Sequence, residues 1–267
     1  MGETDAQLAI RAAVAGGEVV RSRYGGPLER IAKAEGDFAT EADHAAERAI
    51  LAVLREARPE DGFIGEESGG SGAARSGRYW LVDPLCGTVN YAAGTPLVAV
   101  NVALRGDSGV VVAASADPFL GEVFWTDGGG ARVRRAGQDE PLVPDATSRL
   151  VEINLDPPFP NRDRFLVARM LANDAFIAAF RPRVLSTTLA LAWVAAGRRA
   201  AYITDGDLRD SVHFSSGIAL CQAVGCVVTG LAGQPLHGGI QGLVAASDAK
   251  THAELVNIIT RQARFGG

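Results

Sequence analysis

The stretch Trp80–Tyr91, WLVDPLCGTVNY, predicts an apolar strand, a sharp turn and the start of a helix in immediate succession. The strand ends at the carboxylate of Asp83, the following proline fixes the turn, and Gly87-Thr88 begins the predicted helix. Backbone N–H groups at a helix start can bind an anion. The stretch therefore predicts a functional site at the end of this strand.

Two further carboxylates, Glu66 and Glu67, follow the short predicted strand Phe63–Gly65. Together with Asp83 they supply the hard oxygen ligands that Mg²⁺ prefers. Lys33 is interpreted as a surface lysine and Glu67 as a solvated or supporting group. The sequence thus indicates that a divalent cation could bind near the predicted anion site.

Bulk composition narrows the class of protein. The chain has 267 residues, 47% of them hydrophobic and 21% charged, with a net charge of -5. These values are typical of a globular protein of one large domain or two packed halves, and no basic stripe indicates a nucleic-acid partner. Three cysteines in no zinc-binding spacing favour a reducing cytoplasm. We also expect no membrane partner, because no apolar run is long enough to span a bilayer.

The pattern of elements changes near residue 140. Residues 4–22 and 41–57 read as helices, and 96–135 as antiparallel strands with tight turns. Beyond this point strands alternate with helices, predicted over 161–180, 187–196, 213–224 and 248–264. We therefore predict an α/β (α+β) fold with two subdomains, 1–140 and 141–267, the second of which contributes His213.

Several motifs make the chain resemble the inositol monophosphatase family over about residues 5–265. In chain order they are Gly65–Ser68 (GEES), Trp80–Tyr91, Asp117–Glu122, Gly128–Ala131, Thr187–Gly197 and, more loosely, Ser211–Thr229. The resemblance implies a layered αβαβα sandwich, Mg²⁺-dependent hydrolysis of small phosphomonoesters, and a homodimer.

The resemblance also assigns residues. The family's metal-binding glutamate is Glu66, its first motif aspartate is Asp83, and the Leu85 carbonyl completes one metal position. Thr88 and Asp43 correspond to the pair that orients the attacking water. Taken alone, Asp43 also reads as the capping-box acid of its helix.

Two positions depart from the family pattern. The second aspartate of the strand motif is Cys86. Aligning Val224–Thr229 on the family's AGGVVT segment puts His213 at the aspartate of the second motif. Since the family residues at both positions bind one metal together with Asp83, the resemblance implies that Cys86 and His213 are near neighbours and that this Mg²⁺ position is weakened.

A first hypothesis makes Cys86 and His213 a catalytic dyad for acyl-transfer or hydrolase-type covalent chemistry without any cofactor. A cysteine at a helix start has a lowered pKa, a neighbouring histidine can take its proton, and Asp83 can orient that histidine. The amides of Gly87 and Thr88 would then form an oxyanion hole instead of a phosphate site.

A second hypothesis keeps a metal-dependent phosphatase of an inositol, sugar or nucleotide phosphate. One Mg²⁺ binds Glu66 and Asp83, Thr88 with Asp43 positions the water, and His213 protonates the leaving alcohol.

Two alternatives remain open beside these hypotheses. In the first, Zn²⁺ or Fe²⁺ binds Glu66, Asp83, Cys86 and His213, a mixed set of ligands that these metals accept. In the second, the chain is a catalytically inactive binding protein.

Three polar residues are predicted to read the hydroxyl groups of the substrate. Asp205, Asp207 and Arg209 lie in the loop where members of the family contact substrate, so the resemblance makes them specificity candidates beside Gly87 and Thr88.

Overall fold

A computed structural model describes residues 2–33, 38–72, 74–156, 159–161, 166–206, 208 and 211–263. The chain forms two compact units. The first comprises Met1–Pro141, Thr187–Leu189 and Val212–Ala219, and the second comprises Leu142–Ser186, Ala190–Ser211 and Leu220–Gly267. His213 thus belongs to the first unit, so the structure does not place it with the predicted second subdomain. The division into 1–140 and 141–267 stays a prediction.

The first unit is built around a long, mainly antiparallel sheet. Its elements are α1 (Asp5–Arg23), β1 (Arg30–Ala32), β2 (Phe38–Thr40), α2 (Glu41–Ala57), β3 (Gly62–Gly65), β4 (Gly69–Ser71), β5 (Tyr79–Cys86), α3 (Thr88–Ala92), β6 (Ala99–Gly106), β7 (Gly109–Asp117), β8 (Glu122–Thr126), β9 (Ala131–Arg135) and β10 (Gln138–Pro141). The strand order is β10-β9-β8-β7-β6-β5-β3-β4, and only β3 and β5 pair in parallel. The hairpin of β1 and β2 lies apart from this sheet.

Helices α1 and α2 cover one face of the sheet. Each starts at a threonine cap, Thr4 or Thr40, that forms a capping box and satisfies backbone N–H groups of the first turn. Apolar residues of both helices, such as Leu8 and Ile50, are fully buried against strand residues such as Trp80. Burying large apolar side chains between helix and sheet is the main term that stabilises such a layer.

Strand β5 carries the motif quoted above, and it is buried on both faces. Trp80 packs into the helix-covered core, whereas Leu81 packs in a second cluster on the other face. Asp83 is paired with Asn101 of β6, and the register shifts between Asp83 and Cys86. Such a bulge re-aims side chains at the end of a strand, and bulges are frequent beside active sites.

The second unit contains a five-stranded mixed sheet. Its elements are β11 (Leu150–Asn154), α4 (Leu166–Met170), α5 (Asp174–Ala179), β12 (Arg181–Val184), α6 (Leu189–Ala195), β13 (Ala201–Thr204), α7 (Ser215–Ala223), β14 (Val227–Thr229), β15 (Leu243–Ala246) and α8 (Ala249–Ala263), with α6 and α7 beginning in the first unit. The strand order is β12-β11-β13-β15-β14.

The helix predicted over 161–180 is wrong as a single element. The structure has the short helices α4 and α5, and Asn173 caps α5 by accepting a hydrogen bond from the Phe176 N–H. The asparagine side chain competes for backbone N–H groups and so starts a new helix rather than continuing the old one. Residues 162–165 of the prediction lie outside the described residues. Within the described part of the chain, no helix has the length and apolar character needed to cross a membrane.

Candidate functional site

The candidate site begins where β5 runs into α3. Gly87 links the two elements with φ of 104° and ψ of 39°, a left-handed conformation that glycine adopts without a Cβ penalty. Helix α3 has only five residues. Because so short a helix aligns few peptide dipoles, the predicted lowering of the Cys86 pKa by a helix start is small at best.

Asp83 is the centre of the site. Its carboxylate is fully buried, and its Oδ1 accepts a hydrogen bond of 3.1 Å from the Leu85 N–H. Its Oδ2 lies 2.8 Å from Nδ1 of His213. One ligand atom each of Asp83, Cys86 and His213 lies within 4.8 Å of the other two. The structure therefore brings Cys86 and His213 together, as the sequence predicted.

The electrostatics of this group do not favour a thiolate. Burial, and then the charge of Asp83, raise the pKa of the Cys86 thiol to about 11. Burial lowers the pKa of His213, but Asp83 outweighs it and holds that pKa well above its ordinary value. The predicted pair is thus a neutral thiol beside an imidazolium that is held by Asp83. The raised pKa of the thiol gives no support to an activated cysteine nucleophile.

Glu66 faces the same group from the loop after β3. Its Oε1 accepts a hydrogen bond of 2.9 Å from Lys33 Nζ, which also contacts Glu67 Oε1 at 2.6 Å. Its Oε2 is buried without a hydrogen-bond partner among the described residues and lies 3.9 Å from His213 Nδ1. Burial and the neighbouring Asp83 raise the pKa of Glu66 to about 8. Lys33, interpreted from sequence as a surface lysine, is instead an ion-pair partner of the site.

Asp43 uses its two oxygens for two different purposes. Its Oδ2 caps α2 by accepting hydrogen bonds from the Thr40 N–H, at 2.8 Å, and hydroxyl, at 2.6 Å. Its Oδ1 lies 3.0 Å from the Thr88 hydroxyl oxygen, which also lies 3.1 Å from the Leu85 carbonyl. Burial raises the pKa of Asp43 against the effect of these hydrogen bonds. Asp43 therefore caps its helix, as the sequence predicted, and also contacts Thr88, while its role in orienting water stays a prediction.

Glu47 is a supporting residue that the sequence analysis missed. It is buried one turn after Asp43 on α2, and its carboxylate accepts hydrogen bonds from the N–H groups of Glu67, at 2.8 Å, and Ser68, at 2.9 Å. A Cβ at Gly65 would lie 2.6 Å from the Glu47 carboxyl carbon, so only glycine fits there. The i,i+4 spacing from Asp43 was the signal that could have identified Glu47.

Asn101 is a second supporting residue that the sequence analysis missed. It is fully buried on β6, and its side-chain N–H₂ donates to the Thr188 hydroxyl at 2.8 Å and to the His213 carbonyl at 3.4 Å. Its amide oxygen accepts a hydrogen bond of 2.7 Å from Ser115. The Thr188 N–H in turn points to the Cys86 sulfur at 3.4 Å. Asn101 thus holds the backbone segments on which both unusual side chains depend, and no local sequence pattern predicts these contacts.

The predicted specificity residues are described only in part. Asp205 belongs to the second unit, is 2% exposed, and accepts a hydrogen bond from the Asn161 side chain. Its Oδ2 is buried with no hydrogen-bond partner among the residues that the structure describes, and burial raises its pKa. Asp207 and Arg209 lie outside the described residues. A substrate-reading role for these three residues stays a prediction.

Comparison with known proteins places this arrangement in a family. The model of the inositol monophosphatase family matches residues 2–264. A Mycobacterium tuberculosis relative named probable inositol 1-monophosphatase ImpA is 31% identical over 243 residues, which cover 86% of this chain and 84% of the relative. An Escherichia coli relative named Nus factor SuhB is 30% identical over 256 residues, 94% of each chain.

A solved structure agrees with these sequence matches. The crystal structure of the extragenic suppressor protein suhB from Bartonella henselae has a TM-score of 0.83 and 26% identity, and the match covers 97% of this chain and 98% of that one. The predicted α/β sandwich fold class is thereby confirmed. The matches cover most of this chain and most of each relative, and they agree with the motifs gathered around Asp83. The chain belongs to the inositol monophosphatase family.

Proposed function

We propose that the protein is a phosphomonoesterase that hydrolyses a small phosphorylated metabolite, such as an inositol, sugar or nucleotide phosphate, with the help of a divalent cation. Membership of the family supports this activity, and so do relatives named inositol monophosphatase. The observation that carries the proposal is the hydrogen bond between Thr88 and the buried Asp43. Leu85 connects this pair to Asp83, because its carbonyl oxygen lies 3.1 Å from the Thr88 hydroxyl oxygen and its N–H donates to Asp83.

The residues present fit a divalent cation. Glu66 Oε2 is a buried carboxylate oxygen that has no protein donor among the described residues, and it lies near the same His213 nitrogen, Nδ1, as Oδ2 of the fully buried Asp83. A buried carboxylate oxygen without a hydrogen-bond donor lowers the stability of the fold unless a cation or another donor binds it. Glu66, Asp83 and the Leu85 carbonyl would hold the ion. When bound, it supplies a Lewis acid that polarises the phosphoryl group.

Thr88 and Asp43 orient the attacking water. The Thr88 hydroxyl donates to Asp43 Oδ1 and so keeps its lone pairs free to accept a hydrogen bond from the attacking water. The second oxygen of Asp43 is held by Thr40, which prevents the carboxylate from rotating away from Thr88. Such positioning lowers the barrier because the reacting atoms are held in attack geometry before the reaction begins. The amides of Gly87 and Thr88 face the substrate phosphate in this proposal.

His213 donates a proton to the leaving alcohol. The imidazole is fixed through Nδ1 by Asp83, and its raised pKa keeps the proton available near neutral pH. The comparisons do not support the covalent alternative through Cys86, and the raised pKa of that thiol opposes nucleophilic attack.

Location and assembly belong to the same proposal. We infer that the enzyme acts on a small molecule in the cytoplasm, as a homodimer. Because one relative is named a Nus factor, the absence of a nucleic-acid partner also stays a prediction.

The test is phosphate release from a panel of inositol, sugar and nucleotide monophosphates, with chelated protein supplied with Mg²⁺, Mn²⁺, Zn²⁺ or Co²⁺ in turn. We expect release from at least one substrate, dependence on added metal, and loss in Thr88→Val with recovery in Thr88→Ser. Folded protein that releases no phosphate from any member of the panel with any of these metals would overturn the proposal in favour of a binding protein.

A further inference from the structure

We propose that Asp83, Cys86 and His213, joined by Glu66, form a binding site for one thiophilic divalent cation of the Zn²⁺ class, in preference to Mg²⁺. The inference rests on the proposed function in that it identifies the cation of the same site, and with that cation bound His213 is a metal ligand instead of the proton donor. It concerns binding alone and is measured without any substrate.

The ligand types favour such a metal. A thiolate and an imidazole are soft and borderline ligands that bind Zn²⁺, Co²⁺ and Fe²⁺ far better than they bind Mg²⁺. Mg²⁺ demands oxygen ligands and gives up its water reluctantly. The Asp83, Cys86 and His213 group offers one ligand of each type, sulfur, nitrogen and oxygen.

The distances suit a tetrahedral site. The three ligand atoms lie within 4.8 Å of one another. With Zn–S near 2.3 Å and Zn–N or Zn–O near 2.0 Å, ligand atoms of a tetrahedral zinc stand about 3.5 Å apart. A separation at the 4.8 Å limit would therefore close by about 1.3 Å, and the 2.8 Å contact of His213 with Asp83 would open by about 0.5 Å. These are adjustments of side-chain rotamers, with the backbone of β5 in place.

Glu66 provides independent evidence for a cation bound beside Asp83, Cys86 and His213. Its Oε2 is buried, has no hydrogen-bond partner in the described part of the chain, and points to the same place, 3.9 Å from His213 Nδ1. Lys33 holds the other oxygen of this carboxylate at 2.9 Å, which keeps Oε2 turned inward. A carboxylate oriented by a supporting ion pair is the usual condition of a metal ligand.

The residues that hydrogen-bond to the proposed ligands also match those of a metal site. Cys86 Sγ receives the Thr188 N–H at 3.4 Å, a type of contact that stabilises a metal-bound thiolate. Asn101 binds the Thr188 side chain and the His213 carbonyl, so one buried residue supports both the sulfur and the imidazole ligand. With three ligands from the strand and the His213 turn, and Glu66 on a loop, the site can exchange one ligand for water or substrate, as catalytic zinc sites do.

The experiment uses the full chain, stripped with chelator and loaded with Co²⁺ or Zn²⁺. Cobalt reports a sulfur ligand through a charge-transfer band in the near ultraviolet, and X-ray absorption at the zinc edge counts sulfur neighbours. We expect one metal ion per chain and one sulfur ligand. The double variant Cys221→Ala/Cys226→Ala, in which Cys86 is the remaining thiol, is the matched control and should keep both signals.

Two substitutions then test the assignment. Cys86→Ser should abolish the cobalt band and weaken Zn²⁺ binding about tenfold or more, since even supporting residues of metal sites have effects of that size. The combined change Cys86→Asp and His213→Asp restores oxygen ligands, and it should shift preference from Zn²⁺ toward Mg²⁺. Circular dichroism and thermal unfolding show whether each variant is folded.

The outcomes separate this inference from the proposed function. Zinc with only nitrogen and oxygen neighbours, or a cobalt band that survives Cys86→Ser, overturns the thiophilic site. Phosphate release that depends on Mg²⁺, in a protein that binds neither Zn²⁺ nor Co²⁺ through sulfur, keeps the function but overturns the inference. A zinc–sulfur site in a protein that hydrolyses no phosphomonoester keeps the inference and overturns the function.

Discussion

Nδ1 of His213 lies 2.8 Å from Oδ2 of Asp83, although 130 positions separate the two residues in the chain. The contact joins the end of a buried strand to the turn before α7. It holds an imidazole beside a fully buried carboxylate, and Cys86 completes the group.

The Asp83 contact should make stability depend on pH in the chelated protein. The pKa of His213 is raised in the folded state above its unfolded value near 6.5, so protonation favours folding. Its stabilising effect is fully present below about pH 6.5 and disappears as pH rises through the folded pKa. Because 41% of the His213 side chain is exposed, solvent screening limits the effect to about 1 kcal/mol.

Urea unfolding of the wild type and His213→Asn at several pH values measures this effect. The difference in unfolding free energy should be largest in acid and shrink with rising pH. A difference that grows toward basic pH would contradict the assigned ion pair.

The Cys86 thiol should react slowly with iodoacetamide in metal-free protein. With a pKa of about 11, only about one thiol in 10⁴ is ionised at pH 7, compared with a few per cent of an ordinary thiol. Mass spectrometry of the Cys221→Ala/Cys226→Ala variant follows the reaction at Cys86 alone, and the rate should rise steadily with pH. Alkylation at neutral pH faster than that of a free thiol would revive the hypothesis of a catalytic dyad.

Removing the Thr88 hydroxyl should reduce kcat with little effect on folding. Thr88→Val keeps the shape of the side chain but loses the contact with Asp43, so we expect phosphate release to fall about 100-fold. Thr88→Ser should restore most of the rate. Asp43→Asn should lower both rate and stability, because Asp43 Oδ2 also caps α2. Equal loss of stability in Thr88→Val and Asp43→Asn would show that Thr88 has only a structural role.

Glu47 should be essential for the shape of the loop that carries Glu66. Glu47→Ala leaves the N–H groups of Glu67 and Ser68 without their acceptors and should lower the unfolding free energy by about 3 kcal/mol. Glu47→Gln should have a smaller effect, and the exposed Glu56 of the same helix offers a control in Glu56→Gln.

Gly65→Ala tests the same contact from the opposite side. Its Cβ would overlap the Glu47 carboxylate and displace it from the loop. We expect weaker metal binding in isothermal titration together with lower stability. Unchanged binding in both Gly65→Ala and Glu47→Ala would show that Glu47 does not position the metal ligand.

Asn101 should position Cys86 and His213 without contacting any of the proposed metal-binding atoms. Asn101→Leu removes the hydrogen bonds to Thr188 and to the His213 carbonyl and should cost about 2 kcal/mol of stability. The spectrum of bound Co²⁺ should change as well, which a purely structural role would not require. Ser115→Ala removes only the hydrogen bond that Ser115 donates to the Asn101 amide oxygen. Its effects on stability and on the Co²⁺ spectrum should therefore be smaller.

Local sequence determined the architecture of the first unit and one half of the site. The strand that ends at Asp83, the glycine turn and the capping box with Asp43 all depend on neighbours a few positions away. Hydrophobic periodicity and cap chemistry therefore predict them. The same local rules failed at 161–180, where Asn173 starts a new helix.

Only the tertiary structure decided how those parts act on one another. It revealed that Lys33 turns Glu66 toward His213, that Glu47 holds the loop, and that Asn101 supports both Cys86 and His213. It also decided the state of the Cys86 thiol. Sequence predicts a lowered pKa from a helix start, but burial beside Asp83 raises it, because desolvation and like charge both disfavour the thiolate. A pKa depends on the whole surroundings of a group, and the surroundings exist only once the chain is folded.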